Sequence, residues 1–208
     1  MNYAGPFYGE LKQDVFVLET LKEKQQGFFV EFGAMTGLQY SNTYVLEKHF
    51  GWQGIVSEPN PRFHDELLRN RSCTVDNRAV FDKTGKTLKF VCRGHGYSGL
   101  AVPGIEYNDQ TINVVSVSLN DLLFENSAPG YIDYISMDTE GSELQILKAF
   151  DFSRWQVGVW TIEHNFHRDN RQAIQDIMLS NNYCHVKSEQ SQYDDWFVHS
   201  DLIKLKNL

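Results

Sequence analysis

The sequence predicts an α/β fold with a doubly wound, mostly parallel sheet, and three observations lead to this class. Short apolar runs typical of buried strands alternate with amphipathic stretches typical of helices along most of the 208 residues. A loop containing Gly33 and Gly37 follows the first predicted strand, at residues 28–32. The glycine-rich residues 81–117 interrupt the alternation and predict a hairpin and loop insertion.

The first part of the chain supplies strands and helices in turn. Asp14 is expected to cap a helix that Gly27 terminates, and residues 1–26 are interpreted as an N-terminal helical segment. After the strand at residues 28–32, the predicted elements are a helix at 41–50, a strand at 54–57, a helix capped by Asn60 and reaching about residue 68, and a strand at 73–75.

The second part resumes the same alternation after the insertion, in which residues 87–92 and 113–117 form short β-like runs. The predicted elements are a strand at 132–137, a helix at 142–150 capped by Ser142, a strand at 157–162, a helix at 170–180, and two strands within 183–198. We therefore predict one domain that spans residues 1–208.

Composition limits the classes of function. A net charge of −8 disfavours a nucleic-acid backbone as the main partner, because that partner requires a basic face. Three widely spaced cysteines favour a reducing compartment over a disulfide framework or a structural zinc site. The chain has no signal-peptide pattern and no apolar stretch approaching the ~20 residues of a membrane helix. We expect a soluble cytoplasmic protein that does not use a membrane, and its oligomeric state cannot be predicted.

Ligands of doubly wound sheets bind beyond the carboxyl ends of the strands, at the topological switch point. Residues that directly follow the predicted strands are therefore the candidates for binding and catalysis. They are residues 31–37, Glu58, residues 76–77, residues 138–141 and residues 163–165.

The first of these loops has the pattern Glu-x-Gly-x-x-x-Gly, which differs from the Gly-x-Gly-x-x-Gly of dinucleotide sites. Gly33 allows a sharp turn and a close approach of the backbone to a ligand. Glu31 favours a ligand with a positive group, such as the ammonium of a methionine moiety. The alternative is a plain turn between a strand and a helix.

Residues after the next two strands suit a nucleoside. Glu58 can accept hydrogen bonds from both ribose hydroxyls, or it can be a helix cap or surface carboxylate. Asn77 and Arg78 can bond an adenine edge while Ala79 leaves room for the ring, or residues 76–79 form an ordinary Asx-type turn.

Asp138 follows the fourth predicted strand of the sheet, and Glu163, His164 and Asn165 follow the fifth. Acidic residues beside a histidine at neighbouring strand ends suggest catalysis. In one hypothesis Asp138, Glu163 and His164 hold a divalent cation such as Mg²⁺ that polarises a substrate hydroxyl. In another, His164 is a general base that a carboxylate orients. A third possibility is that His164 makes only a structural hydrogen bond. The aromatic, flexible residues 95–99 suit either a lid or a hairpin turn.

The chain resembles the FkbM-type methyltransferases, class I enzymes that use S-adenosylmethionine, in a series of segments from about residue 8 to about residue 185. Single segments are weak signals, and their common order is specific. The segments are residues 27–34, 41–43, 46–47, 51–54, 58–60, 97–100, 118–123, 135–143 and 162–165.

The resemblance implies a seven-stranded Rossmann-like methyltransferase fold with one antiparallel strand near the C-terminus. It implies methyl transfer to a hydroxyl of a sugar or a small natural product, with a small-molecule or saccharide acceptor as the partner. Met35 and Thr36 depart from the small polar or acidic pair that is common there. By position it implies that Glu31, Gly33 and Ala34 contact the methionine part of the cofactor and that Asp138 and Glu140 face the methyl group and the amino acid end. It also implies contacts of Glu58 with the ribose and of Asn77, Arg78 and Ala79 with the adenine. Gln13, Asp14, Ser41 and Asn42 resemble further contacts in the cleft.

Two other functions compete with this interpretation. One is a non-catalytic module that binds S-adenosylmethionine without transferring its methyl group. The other is an NAD-dependent oxidoreductase or epimerase on a similar sheet, which the glycine spacing disfavours.

Overall fold

A computed structural model describes residues 3–94 and 96–204 of the chain, so His95 of the predicted lid lies outside the described residues. The first half contains α1 (Gln13–Thr20), β1 (Phe28–Phe32), α2 (Tyr44–Phe50), β2 (Gln53–Ser57), α3 (Pro61–Asn70), β3 (Thr74–Asp76), β4 (Ala79–Phe81) and β5 (Thr87–Cys92). The second half contains β6 (Gly99–Leu100), β7 (Gln110–Ser118), α4 (Leu119–Glu125), β8 (Tyr131–Met137), α5 (Glu143–Ala149), β9 (Gln156–Glu163), α6 (Arg168–Ser180), β10 (Tyr183–Val186), β11 (Asp194–His199) and α7 (Ser200–Lys204).

The main sheet has seven strands in the order β10-β11-β9-β8-β1-β2-β3. Strand β11 pairs antiparallel with both β9 and β10, and the other pairings in this sheet are parallel. The predicted fold class, including one antiparallel strand near the C-terminus, is confirmed. The chain moves outward from β1 to β3 and later returns to β8 on the other side of β1, so the switch point lies between β1 and β8.

Helices cover both faces of the sheet, as the apolar patterns of the strands require. On β1, Phe29 belongs to a core cluster with residues of α1 and α2, whereas the next residue, Val30, belongs to a cluster with residues of α4, α5 and α6. Neighbouring side chains of a strand point to opposite faces, so a strand buried on both faces is apolar throughout. Trp160 of β9 is fully buried in the second cluster.

The insertion is more regular than the sequence suggests. Strands β4, β7, β5 and β6 form a four-stranded sheet in that order, and β5 and β7 make a long antiparallel hairpin. The predicted run at residues 113–117 is only part of β7. Helix α4 follows β7 without a loop because the Ser118 side chain accepts a hydrogen bond from the Asp121 backbone N–H at 3.1 Å.

At three predicted helix starts, the side chain expected to begin or cap the helix has another partner. Asp14 lies inside the first turn of α1 and accepts hydrogen bonds from Tyr8 N–H and Gly9 N–H. Helix α2 begins at Tyr44, three residues later than predicted, because the preceding residues bond to Glu31. Ser142 makes no capping hydrogen bond, and its hydroxyl instead donates to Thr139 Oγ1 at 2.8 Å. Among the described residues, no helix combines the length and apolarity needed to cross a bilayer.

Candidate functional site

The loop after β1 meets the loop after β8 at Gly33. This residue has a φ of +71°, and a Cβ atom added to it would overlap the Asp138 carbonyl oxygen. The Gly33 N–H also donates to the Ser57 carbonyl at the end of β2, at 3.0 Å. Both the backbone angle and the close approach require glycine, so Gly33 joins the ends of three strands at the switch point.

An inner cavity lies at this point. The main sheet forms its floor, α3 contributes Phe63, and the insertion contributes Phe90 and Leu100. The lining residues are Phe32, Gly33, Met35, Ser57, Glu58, Pro59, Phe63, Ala79, Val80, Phe90, Gly96, Ser98, Leu100, Asp138, Thr139 and Ser142. The cavity is thus mainly apolar, with carboxylates at two positions.

Glu58 is one of these carboxylates, and its side chain is held in a single position. Its Oε2 accepts from the Met35 N–H at 2.9 Å and its Oε1 accepts from the Asn60 N–H at 2.7 Å. The residue is only 3% exposed, and burial raises the pKa of its carboxyl to about 7. Each carboxylate oxygen has a lone pair beyond the one used here, so Glu58 can accept hydroxyl donors from the cavity.

The predicted adenine residues separate in the structure. Ala79 lines the inner cavity, whereas Asn77 is exposed and does not line it. The Arg78 guanidinium forms ion pairs with Asp76 at 2.6 Å and Glu125 at 2.7 Å. The side chains of Asn77 and Arg78 therefore do not contribute to the cavity wall.

Glu31, Ser41 and Asn42 form a buried polar network beside the loop and do not line the inner cavity. The Glu31 carboxylate accepts from the Ser41 hydroxyl, the Asn42 N–H, the Thr43 hydroxyl and the Arg71 guanidinium, at distances of 2.6 to 3.2 Å. Ala34, also predicted to contact a cofactor, is buried in the core cluster of α1 and α2. These side chains fix the loop, and the structure gives the Glu31 carboxylate protein partners rather than an open face.

Arg71 is the member of this network that the sequence analysis missed. Its side chain is fully buried and also pairs with Glu47 at 2.5 Å. It follows α3, and 40 residues separate it from Glu31. No local pattern connects these positions, because Arg71 stands between the polar residues Asn70 and Ser72 and resembles a surface arginine in the sequence.

Asp138, Glu140 and Glu163 form an acidic cluster at the carboxyl ends of β8 and β9. One carboxylate oxygen from each lies within 4.8 Å of the others. The Asn165 amide Nδ2 donates to Glu140 Oε2 at 3.0 Å and to Glu163 Oε2 at 2.9 Å. The Glu143 carboxylate accepts from the Thr139 and Gly141 N–H groups and so holds the loop that presents Asp138 and Glu140.

Burial raises the pKa values throughout the acidic cluster, and repulsion from other members of the cluster raises those of Asp138 and Glu163 further. Burial is the main cause for Asp138, followed by the charge of Glu140. Burial also raises the pKa of Glu163, and the charge of Asp138 raises it further. The pKa of Glu140 rises to about 7, chiefly through burial. Carboxylates this close retain protons at pH values where exposed carboxylates are ionised.

His164 is not part of the acidic cluster, so the predicted set of Asp138, Glu163 and His164 is not the one that the structure brings together. Its Nδ1 accepts from the Phe166 N–H at 3.1 Å, and its Nε2 lies 3.8 Å from Asp195 Oδ1. Burial lowers the pKa of His164, so the imidazole is neutral at pH 7. Asp195 also pairs with Arg171 at 2.8 Å and with His185 at 3.0 Å. Glu140 takes the place in the cluster that the sequence analysis gave to His164.

An outer cleft adjoins the inner cavity. It is lined by Glu10, Gly33, Met35, Thr36, Gln39, Tyr40, Arg62, Phe63, Glu66, Gly94, Gly96, Tyr97, Asp138, Glu140, Glu163, Asn165, Phe166 and Tyr193. Gly33, Met35, Phe63, Gly96 and Asp138 line both spaces. Asp138 is the carboxylate at their junction.

The sequence of residues 31–197 matches the model of the methyltransferase FkbM domain, which is most of the chain. The chain belongs to the FkbM methyltransferase family. It is therefore a methyltransferase of the kind that uses S-adenosylmethionine, and the resemblance seen in its sequence is confirmed. No curated protein matches the sequence.

Solved structures share the fold of this FkbM-family methyltransferase at low sequence identity. One is an O-methyltransferase from Bacillus cereus in complex with SAH, with 14% identity, a TM-score of 0.50, and coverage of 94% of this chain and 82% of that chain. Another is the methyltransferase domain of METTL16, with 9% identity, a TM-score of 0.50, and coverage of 89% of this chain and 65% of that chain. At these identities the likeness extends to the fold alone.

Proposed function

We propose that this methyltransferase transfers the methyl group of S-adenosylmethionine to a hydroxyl of a sugar or another small natural product. The observation that carries the proposal is the position of Asp138, which lines both the inner cavity and the outer cleft. Methyl transfer needs two ligands to meet at one point, with the donor on one side and the acceptor on the other. The junction at Asp138 is such a point, so the inner cavity is assigned to the cofactor and the outer cleft to the acceptor.

The chemistry of the inner cavity fits the nucleoside part of the cofactor. Glu58 offers two fixed oxygens to the ribose hydroxyls, while Phe63, Ala79 and Phe90 provide apolar surface for the base. When bound, S-adenosylmethionine supplies an electrophilic methyl group. In this proposal Glu31, Ser41 and Asn42 act on the cofactor only through the shape of the loop that they hold.

We assign the removal of the hydroxyl proton to the acidic cluster. A general base works best when its pKa is near the working pH, and the pKa of Glu140 is raised to about 7. Asp138 and Glu163, with pKa values raised by burial and mutual repulsion, retain protons and can position the hydroxyl by hydrogen bonding. In this proposal His164 helps to hold the end of β9, because its Nδ1 accepts a hydrogen bond from the Phe166 N–H.

A divalent cation such as Mg²⁺ is the competing hypothesis for the same cluster. Asn165 argues against it, because its amide N–H group donates to one oxygen of Glu140 and one of Glu163. A cation bound to those oxygens would face an N–H donor of like polarity. We therefore expect methyl transfer to survive exhaustive chelation. If chelation instead abolishes activity and Mg²⁺ restores it, a metal ion and not a general base acts at this cluster.

Product analysis tests the proposed function. The protein is incubated with methyl-labelled S-adenosylmethionine and the small-molecule fraction of an extract of its source organism, and labelled products are examined by mass spectrometry and NMR. The proposal predicts a methyl ether. A labelled N-methyl or C-methyl product contradicts transfer to oxygen. Binding of the cofactor without any product supports the non-catalytic module.

A thermal-shift measurement distinguishes the proposed methyltransferase from an NAD-dependent oxidoreductase or epimerase. S-adenosylmethionine at 100 times its dissociation constant stabilises the folded state by ~2.7 kcal/mol, whereas a ligand that does not bind gives no shift. We expect the shift with S-adenosylmethionine and none with NAD. The reverse result would favour an oxidoreductase or epimerase.

A further inference from the structure

We propose that the acceptor carries a protonated amine, as an amino sugar or an amino alcohol does, and that the outer cleft selects it through carboxylates and exposed aromatic rings. The inference rests on the proposed methylation of a hydroxyl and narrows its substrate class. It arises from the lining of the outer cleft beyond the acidic cluster.

The charge of the cleft is strongly one-sided. Glu10, Glu66, Glu140 and Glu163 line the outer cleft but not the inner cavity, and Asp138 lines both. In the part of the chain that the structure describes, none of these five carboxylates has an arginine or lysine nitrogen within 4.0 Å. Among the described lining residues, Arg62 is the only basic one.

Some carboxylates elsewhere in the molecule have basic partners. Glu31 and Glu47 share Arg71, Asp133 pairs with Lys24, and Asp195 pairs with Arg171. Others, such as Asp14 and Asp194, accept N–H hydrogen bonds and have no lysine or arginine partner within the described residues. Glu163 is only 6% exposed, yet it receives an amide hydrogen bond from Asn165 instead of a basic partner.

The cofactor does not account for all of this charge. Glu10 and Glu66 contact only the outer cleft, on the side assigned to the acceptor. A metal ion in the acidic cluster would bind Asp138, Glu140 and Glu163 and would leave the exposed carboxylates of Glu10 and Glu66 in solvent. A protonated amine on the acceptor supplies positive charge where these side chains lie.

Aromatic rings on the same cleft point to the same ligand chemistry. Tyr40, Tyr97 and Phe166 are 48%, 63% and 70% exposed, although large rings favour burial. Tyr40 and Phe166 have φ values of 61° and 58°, in the left-handed region that costs a bulky residue conformational energy. Ring faces beside carboxylates attract an ammonium group by cation–π and ion-pair interactions, and the rings also pack on the C–H faces of a sugar.

Chemical modification of the amines in an extract tests whether the acceptor needs a protonated amine, and it does so for all candidate acceptors at once. The small-molecule fraction is divided into an untreated portion, a portion whose amines are acetylated in aqueous buffer, and a portion whose amines are reductively dimethylated. Acetylation removes the positive charge, whereas dimethylation retains it. Each portion is incubated with the protein and labelled S-adenosylmethionine.

We expect acetylation to lower the labelled methyl ether about 10- to 100-fold, since a hydrogen bond to a charged group contributes ~1.5–3 kcal/mol and 1.4 kcal/mol is a factor of ten. Labelling of the dimethylated portion should stay within a few-fold of the untreated one. Equal labelling of the acetylated portion would overturn the amine proposal while leaving hydroxyl methylation intact. Absence of a labelled ether from the untreated portion would instead overturn the proposed function.

Variants of the cleft provide the second test. With the purified acceptor, Glu10→Gln combined with Glu66→Gln should raise KM about tenfold or more and leave kcat within about twofold. Glu19→Gln is the matched control, because Glu19 is exposed on α1 and does not line the cleft. An unchanged KM in the double variant, with a folded protein and normal SAH binding, would contradict the role of these carboxylates.

Discussion

A single buried carboxylate defines the chemistry of the inner cavity at the residue scale. Both oxygens of Glu58 are held by backbone N–H groups, so its orientation does not depend on a bound ligand. Its pKa of about 7 reflects the cost of a charge with no basic partner. Hydroxyl donors from a ribose would offset part of that cost, which links cofactor binding to the ionised form of Glu58.

Glu58→Gln tests this link. Glutamine keeps the size of the side chain but loses the charge, and its amide NH₂ faces a backbone donor. We expect the affinity for SAH, measured by titration calorimetry at pH 8, to fall about 10- to 100-fold. Glu106→Gln, an exposed change in the insertion, should leave the affinity unchanged. Equal affinities of both variants would exclude Glu58 from cofactor binding.

The loop after β1 depends on contacts between elements. Arg71 follows α3 and links Glu31 of β1 to the residues before α2, so one guanidinium fixes the loop from two sides. Removing one partner of a buried ion pair leaves a charge that water cannot reach. The shape of the loop at Gly33 is thus a property of three elements rather than of the loop sequence alone.

Arg71→Met should destabilise the folded state by ~3–5 kcal/mol, because the Glu31 carboxylate stays buried without its cation. Urea unfolding measures the loss. Combining it with Glu31→Gln should recover part of the stability, since the uncompensated charge is gone. A loss below about 1 kcal/mol for Arg71→Met would show that the pair is not coupled to stability.

Elements with strong periodicity could be predicted from the sequence, and those that depend on distant partners could not. The strands of the main sheet were found because strands buried on both faces are apolar throughout. The start of α2 was misplaced because residues 41–43 bond to Glu31, and α4 was not identified as an element.

The sequence predicted which positions lie near the site, but it did not predict the directions in which their side chains point. The rule that ligands bind beyond strand ends selected Glu58, Asp138 and Glu163, which line the cavity or cleft. It also selected Glu31, whose partner is Arg71, and His164, whose Nδ1 accepts from the Phe166 N–H. Arg71 is distant from Glu31 in sequence, so only the folded chain reveals that the Glu31 carboxylate is already engaged.

At the scale of the whole molecule, burial disfavours the ionised form of several carboxyl groups. The pKa values of Glu58 and Glu140 are raised to about 7 and that of Asp194 to about 6, and those of Asp14, Asp138 and Glu163 are also raised. A carboxyl whose folded pKa exceeds its unfolded pKa favours folding while it is protonated, and this contribution is lost as pH rises through the folded pKa. His164, with a lowered pKa, acts in the opposite direction below pH 6.5.

The ligand-free protein should therefore lose stability as pH rises from about 5 to 8. For Glu58 alone, a shift from 4.5 to about 7 corresponds to about 3 kcal/mol. Urea unfolding at pH 5.5 and pH 8 measures the change, and the Glu58→Gln variant should show a smaller one. Stability that increases over this interval would contradict the raised pKa values.

Asp138 provides the most direct test of the central claim that methyl transfer occurs where the inner cavity meets the outer cleft. Asp138→Asn is compared with the exposed surface change Asp151→Asn, with methyl transfer into the extract and SAH binding measured on the same preparations. The account predicts that Asp138→Asn lowers transfer by ~10²-fold, the cost typical of a misplaced reacting group, and keeps SAH affinity within a few-fold of the unsubstituted protein. Unchanged transfer by Asp138→Asn would contradict the account.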